Sequence, residues 1–157
     1  MAVELESMNE DFPESSGFTI KSVNDVETLK DWIQAGTEGF GLKQSTSELL
    51  FDIESKLGFG EHLPRRSYVG YLNGKPVSCS LLLMTSGVAG LFCVATLPEA
   101  RRRGIGTLIS LAPLKEAREK GCKVGVVHSS KMGYGVYRRL AFEDYCKIGL
   151  YRLYSTG

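Results

Sequence analysis

The chain has 157 residues, 43% of them hydrophobic, with 19 Lys and Arg against 18 Asp and Glu, and that length suits one domain with its own core. The near-neutral balance argues against a nucleic-acid or membrane-surface partner, and no segment approaches the roughly 20 apolar residues needed to span a bilayer. Cys79, Cys93, Cys122 and Cys146 show no Cys-x-x-Cys spacing and sit in apolar surroundings. They read as buried free thiols in a reducing compartment, so the expected location is cytoplasmic, and neither a disulfide framework nor a metal centre is expected.

Residues 1–16 hold Glu4, Glu6, Glu10, Asp11 and Glu14 with Pro13, which suits a flexible acidic lead-in or linker and lacks the apolar run of a cleavable signal. Regular structure is expected from Gly17, so the domain is read as 17–157. Alternation over Phe18–Val23 predicts a first strand. Asn24 with Glu27 predicts a capped helix over 25–35, and Ser45 with Glu48 a second over 46–57 whose Leu49, Leu50, Ile53 and Leu57 form an apolar face. Gly36, Gly39 and Gly41 between them predict a flexible loop that shapes a substrate mouth.

Strands over 68–72 and 76–84 meet at Asn73-Gly74, a strong hairpin signal, and Thr85-Ser86-Gly87 turns the chain into a strand over 88–96. A helix over 105–120, a short strand over 124–129, a helix over 134–140 and a last strand region over 142–154 follow. The strand-helix-strand order makes 88–96 and 124–129 parallel, whereas the earlier strands form an antiparallel meander. The expected fold is a mixed α/β sheet with helices on both faces. Pro113 inside the third helix predicts a kink or bulge near Ile109.

Val94-Ala95-Thr96-Leu97-Pro98-Glu99-Ala100-Arg101-Arg102-Arg103-Gly104-Ile105-Gly106-Thr107 carries the chemistry. A strand runs into a basic turn, and glycines then open a helix whose free amides and positive dipole end suit phosphate groups. A dinucleotide fingerprint would require glycine where Ile109 stands, and the Gly-Lys-Ser/Thr of a P-loop is absent.

Arg101-x-x-Gly104-x-Gly106 after that strand resembles the acyl-CoA motif of the GNAT superfamily of N-acetyltransferases. Tyr134-Gly-Val-Tyr137-Arg-Arg-Leu-Ala141-Phe142 is similar to the family's Tyr-x-x-Leu-Gly-Phe helix end, and the resemblance extends over residues 17–154. It implies a GNAT-like fold whose parallel strands splay apart around the pantetheine arm of acetyl-CoA, the acyl donor, with no metal. Val94, Ala95 and Thr96 would meet the pantetheine, and Arg101, Arg102, Arg103, Gly104, Ile105, Gly106 and Thr107 the pyrophosphate. Lys115, Arg118, Arg138 and Arg139 are candidates for the adenosine phosphate. Tyr137 would be the catalytic acid, its ordinary pKa near 10 keeping it protonated at neutral pH, with Tyr134 as fallback.

No carboxylate stands on Leu91-Phe92-Cys93 to act as base. His128, and on the acceptor side Glu61 and His62, remain candidates beside a water relay, whereas Glu99 reads as a solvated loop residue. Three positions depart from the pattern. Ser130 replaces the family's asparagine, weakening a cofactor contact while still able to cap the last helix. Ala141 replaces a glycine, at a cost of about 1 kcal/mol if the left-handed conformation persists. Pro113 is the third.

The implied function is acetyl transfer to a small-molecule or peptide amine by direct attack in a ternary complex. The rival is a non-catalytic acetyl-CoA-binding or interaction domain of the same fold. The family usually ends in a two-strand hairpin, and residues 143–154 leave room for little of it. That shortage predicts a homodimer or a covalently linked amino-terminal domain.

Overall fold

The computed structural model describes residues 1–60 and 63–151. In chain order it holds β1 (Ala2–Glu4), β2 (Phe18–Ser22), α1 (Val26–Phe40), α2 (Gln44–Leu57), β3 (Arg65–Leu72), β4 (Lys75–Thr85), β5 (Val88–Thr96), α3 (Ile105–Glu119), β6 (Val124–Val127) and α4 (Tyr134–Arg139). The strands form one six-stranded sheet in the order β1-β6-β5-β4-β3-β2. Every pairing is antiparallel except β5 with β6, the expected parallel pair. Asn73 and Gly74 both take positive φ, as do Ser86 and Gly87, the left-handed pairs that tight hairpins require.

Helices cover both faces. α3 packs Ile109, Leu114 and Ala117 against Leu82, Leu91 and Val127. α1 packs Leu29, Trp32 and Ile33 against Val69, Cys79 and Leu97, and the Trp32 indole N–H donates to the Ser80 carbonyl at 2.9 Å. Pro113 lies within α3, which continues unbroken from Ile105 to Glu119. The Ile109 carbonyl, which Pro113 leaves without its helical donor, accepts the Ser80 hydroxyl at 2.9 Å, so the expected irregularity has a partner on β4 instead.

Several expectations are corrected. The amino terminus is not a free lead-in: Ala2–Glu4 pairs with β6, Leu5 and Met8 are buried, and Glu10 is bonded to Lys115 at 3.0 Å and to Arg118. Gly125 admits this segment, because a Cβ there would stand 3.0 Å from Leu5 and 3.2 Å from Val3. α1 runs through Gly36 and Gly39 to Phe40 where a loop was expected. Its Gly39 allows close approach to β5, since a Cβ there would lie 2.8 Å from that of Ala95. Asp25 with Thr28 caps α1, one residue after the expected cap, and α2 starts at Gln44 without a side-chain cap.

Of the expected apolar face of α2 only Leu50 packs toward the core, beside Phe51, whereas Leu49, Ile53 and Leu57 are exposed and Glu54 is buried. Cys79 and Cys122 are buried thiols, but Cys93 and Cys146 are exposed. Beyond Phe142 the described residues form no strand, only a bridge from Glu143 to Ala2, because β1 already occupies the outer edge of β6. Residues 152–154 of the expected last strand lie outside the described residues.

Candidate active site

β5 pairs with β6 only from Val88 to Leu91, opposite Val124 to Val127. Beyond Leu91 the edge of β5 that faced β6 is open as far as Thr96. On the other side, Leu81 pairs with Phe92 and Cys79 with Ala95, so Cys93 and Val94 together oppose Ser80. This is a β-bulge, and Cys93 takes the left-handed conformation at φ 50°. The Cys93 carbonyl accepts the Cys79 thiol at 3.2 Å. Past the bulge, Leu97 N–H donates to the Val77 carbonyl at 2.9 Å. Strand alternation therefore turns Ala95 toward β4 and the main-chain groups of Val94 and Thr96 toward the open edge.

The strand leads into a 3-10 turn at Pro98–Ala100, with Glu99 exposed, and then into α3. Arg102 at φ 62° and Gly104 at φ 79° reverse the chain, and the amides of Thr107 and Leu108 are the first to bond back, to the Gly104 carbonyl. Among the described residues the amides from Arg102 to Gly106 have no acceptor. They form an anion cradle at the positive end of a 15-residue helix. Gly106 lines the passage beside it: a Cβ there would sit 3.7 Å from both Thr96 Oγ1 and Val136 Cγ2.

The three arginines divide. Arg101 is engaged by main chain, with Nε donating to the Thr96 carbonyl at 3.0 Å and Nη2 to Gly39 at 3.3 Å. Arg102 and Arg103 are exposed beside the cradle. Ile105 buries its side chain with Val77 and Ala100 and presents only its amide. Thr107 is buried, and its hydroxyl accepts Arg139 Nη2 at 3.2 Å. Lys115 and Arg118 are engaged by Glu10, and Arg138 donates to the Phe142 carbonyl at 3.2 Å.

Tyr137 on α4 is 5% exposed, its ring edge-on to Phe142 with centroids 5.7 Å apart. Burial pushes its hydroxyl up to about 12, and a hydrogen bond with Ser110 works in the opposite sense. Ser110 stands one turn beyond Gly106 and donates to its carbonyl at 2.8 Å. The phenol is thus protonated at neutral pH. Tyr134, by contrast, is exposed and donates to Asp144 at 2.8 Å, which raises its pKa. Ser130 spends its hydroxyl as a cap on the Gly133 amide at 3.1 Å. His128 lies exposed beyond the end of β6. Glu61 and His62 lie outside the described residues.

Sequence reasoning missed the bulge at Cys93 and the burial of Glu54.

A sheet that opens toward the first turn of a helix offers an extended ligand both a free strand edge and an amide cradle for its phosphates. Those two features suit a ligand with an amide-bearing arm and a phosphate end. The model of the acetyltransferase (GNAT) family matches residues 26–142, and the chain belongs to that family. Among solved structures it is similar to a GCN5-related N-acetyltransferase from Kribbella flavida, at 23% identity and a TM-score of 0.66 over 90% of this chain and 52% of that one. The chain thus spans about half of that protein. It is also similar to an aminoglycoside N-acetyltransferase in complex with CoA, at 18% identity and a TM-score of 0.70 over 90% of this chain and 98% of that one. An aminoglycoside acetyltransferase from an uncultured soil metagenomic sample, in complex with sisomicin, matches at 19% identity and a TM-score of 0.62, over 89% of this chain and 96% of that one. No curated protein matches the chain.

Proposed function

We propose that this acetyltransferase moves an acetyl group from acetyl-CoA to a primary amine by direct attack within a ternary complex. The observation that carries the reading is the run of unbonded amides from Arg102 to Gly106, placed at the end of the open edge of β5. These amides receive the pyrophosphate, with Arg102 and Arg103 beside them. Val94 offers its main-chain groups, and Thr96 its N–H, to the amides of the pantetheine arm, the Thr96 carbonyl being held by Arg101, and this brings the thioester toward the bulge.

There the amine nitrogen forms a bond to the carbonyl carbon, the carbon–sulfur bond breaks, and Tyr137 gives its proton to the departing sulfur. The nitrogen releases its own proton to water, from which the phenol recovers one, so the cycle balances. The packing of Phe142 fixes the Tyr137 ring. Complexes of related folds with CoA and with sisomicin support donor and amine acceptor alike.

The proposal includes a cytoplasmic location and association with a second copy or a linked domain. The exposed Leu150 and Tyr151 beyond the last helix support association. Sedimentation at micromolar concentration tests it: a monomer defeats the dimer version. No described helix is long and apolar enough to cross a membrane. The decisive experiment for the reaction is release of free thiol from acetyl-CoA across an amine panel, alongside the shift in Tm caused by acetyl-CoA alone. Thiol release that depends on amine is expected. Binding without release identifies a binding module, and neither effect at millimolar acetyl-CoA ends the proposal.

A further inference from the structure

The two faces of the sheet differ where β5 opens. α3 and α4 cover one face, burying Leu91, Val127 and Tyr137. On the other face α1 covers Cys79, Ala95 and Leu97, whereas Leu83 and Phe92 are 38% and 40% exposed. Leu81 lies directly opposite Phe92, and Leu83 directly opposite Arg65. Direct partners share a face, and so do residues two apart, so Arg65, Leu81, Leu83 and Phe92 lie on one surface.

Phe92 lies flat on that surface. A Cβ at Gly90 would stand 2.6 Å from its ring, so the glycine is what lets the ring lie along β5. At the margin stands an ion pair, Glu54 of α2 with Arg65 of β3, the guanidinium Nη2 lying 2.7 Å and 2.6 Å from the two carboxylate oxygens. Glu54 is 7% exposed, and it is the buried side chain of a helix whose Leu49, Ile53 and Leu57 face outward. Burial pushes the Cys93 thiol up, and Arg65 and Glu54 act on it in opposite senses, which puts the pair within electrostatic reach of the bulge.

A thioester delivered along the free edge reaches Phe92 and Cys93, where pairing with β6 begins. α3 and α4 close one approach to it. The amine therefore comes over Phe92 and Leu83. We infer that this floor selects a primary amine carried on an apolar body, an aryl or alkyl amine, with the Glu54–Arg65 pair as its polar wall. The inference rests on the acetyl-transfer reading of the same site. A ring on Phe92 and Leu83 gains apolar burial, and an aromatic acceptor gains an aromatic contact. The polar wall is internally neutralised, so it offers a polycation little attraction to offset its desolvation.

The test compares 2-phenylethylamine and hexylamine with spermidine and sisomicin. Thiol release is measured at saturating acetyl-CoA, and each amine is also titrated by calorimetry into protein holding CoA. The expected result is a kcat/KM for 2-phenylethylamine at least tenfold above those for spermidine and sisomicin. Phe92→Ser should raise its KM by about 10- to 100-fold while leaving the KM for acetyl-CoA unchanged. Leu83→Ser carries the same expectation with a smaller rise and serves if Phe92→Ser does not fold. Preference for spermidine or sisomicin overturns the inference, as does an unmoved amine KM in a folded variant. Apolar amines that bind preferentially by calorimetry without thiol release uphold the floor and refute acetyl transfer instead. If no apolar amine binds in either assay, the floor is wrong whether or not acetyl-CoA binds.

Discussion

The two halves of β5 are built to opposite rules. From Val88 to Leu91 the strand pairs on both sides, and Ala89 and Leu91 are among the most buried side chains of the core. From Phe92 to Thr96 it pairs on one side only, carries a bulge with a left-handed cysteine, and exposes Phe92 and Cys93. The first half holds the fold together. The second half leaves backbone polar groups available, a cost that a ligand can offset. Stability and binding are thus separated within nine residues of one strand.

The largest effect that would break this contrast comes from the paired half. Leu91→Ala should destabilise by about 2–5 kcal/mol, read from urea unfolding, because it empties a site between α3 and the sheet. A loss under about 1 kcal/mol would mean that this half is not the stabilising one. Next comes the open half: Gly106→Val places a branched side chain between Thr96 and Val136. Acetyl-CoA affinity should fall by about 100-fold, about 2.7 kcal/mol, with little change in Tm of the free protein. Retained affinity would show that the ligand does not pass there.

Tyr137→Phe separates the two roles of one residue. Turnover should fall by roughly 100-fold with an unchanged KM for acetyl-CoA if the hydroxyl is the acid. The same variant has an alkaline signature. A phenol raised from 10 to about 12 by burial binds its proton more tightly when folded, so its stabilisation is full below pH 10 and is lost as pH rises toward 12. The wild type should lose on the order of 2 kcal/mol from this group across that window, and Tyr137→Phe should lose correspondingly less in thermal melts. Equal alkaline losses would refute a protonated, buried phenol.

The smallest expected effect lies at the end of α4. Ala141 has φ 70°, and the Ala141 and Phe142 amides bond back to Arg138 and Tyr137, a helix ending that favours glycine. Ala141→Gly should raise stability by about 1 kcal/mol in urea unfolding without altering turnover. A loss of stability would mean that the alanine methyl contributes packing that outweighs its strain.

Much of the cradle was legible because its chemistry is local. Gly104 and Gly106 announce a reversal and a close approach, Asn73-Gly74 a tight hairpin, and Tyr137 with Phe142 the end of a helix. The amino-terminal strand was not legible, since Val3 and Leu5 are diluted among acids and acquire meaning only when Gly125 of a distant strand makes room for them. The direction of α2 was misread for a related reason. Its leucines have helical spacing, but which side faces the sheet depends on Arg65, eleven residues from Glu54 and on another element.

By itself the sequence determined the order of elements from β2 to α4, the parallel pair and the glycine turn that opens α3, because dihedral preferences, hydrophobic period and helix-end amides are properties of neighbours along the chain. Tertiary structure alone decided which edge of β5 stays open, where the bulge falls, that Arg101 secures main chain, and that Lys115 and Arg118 engage Glu10. Each of these depends on partners brought together across the fold. Their energies arise from burial and pairing that no local window of residues contains.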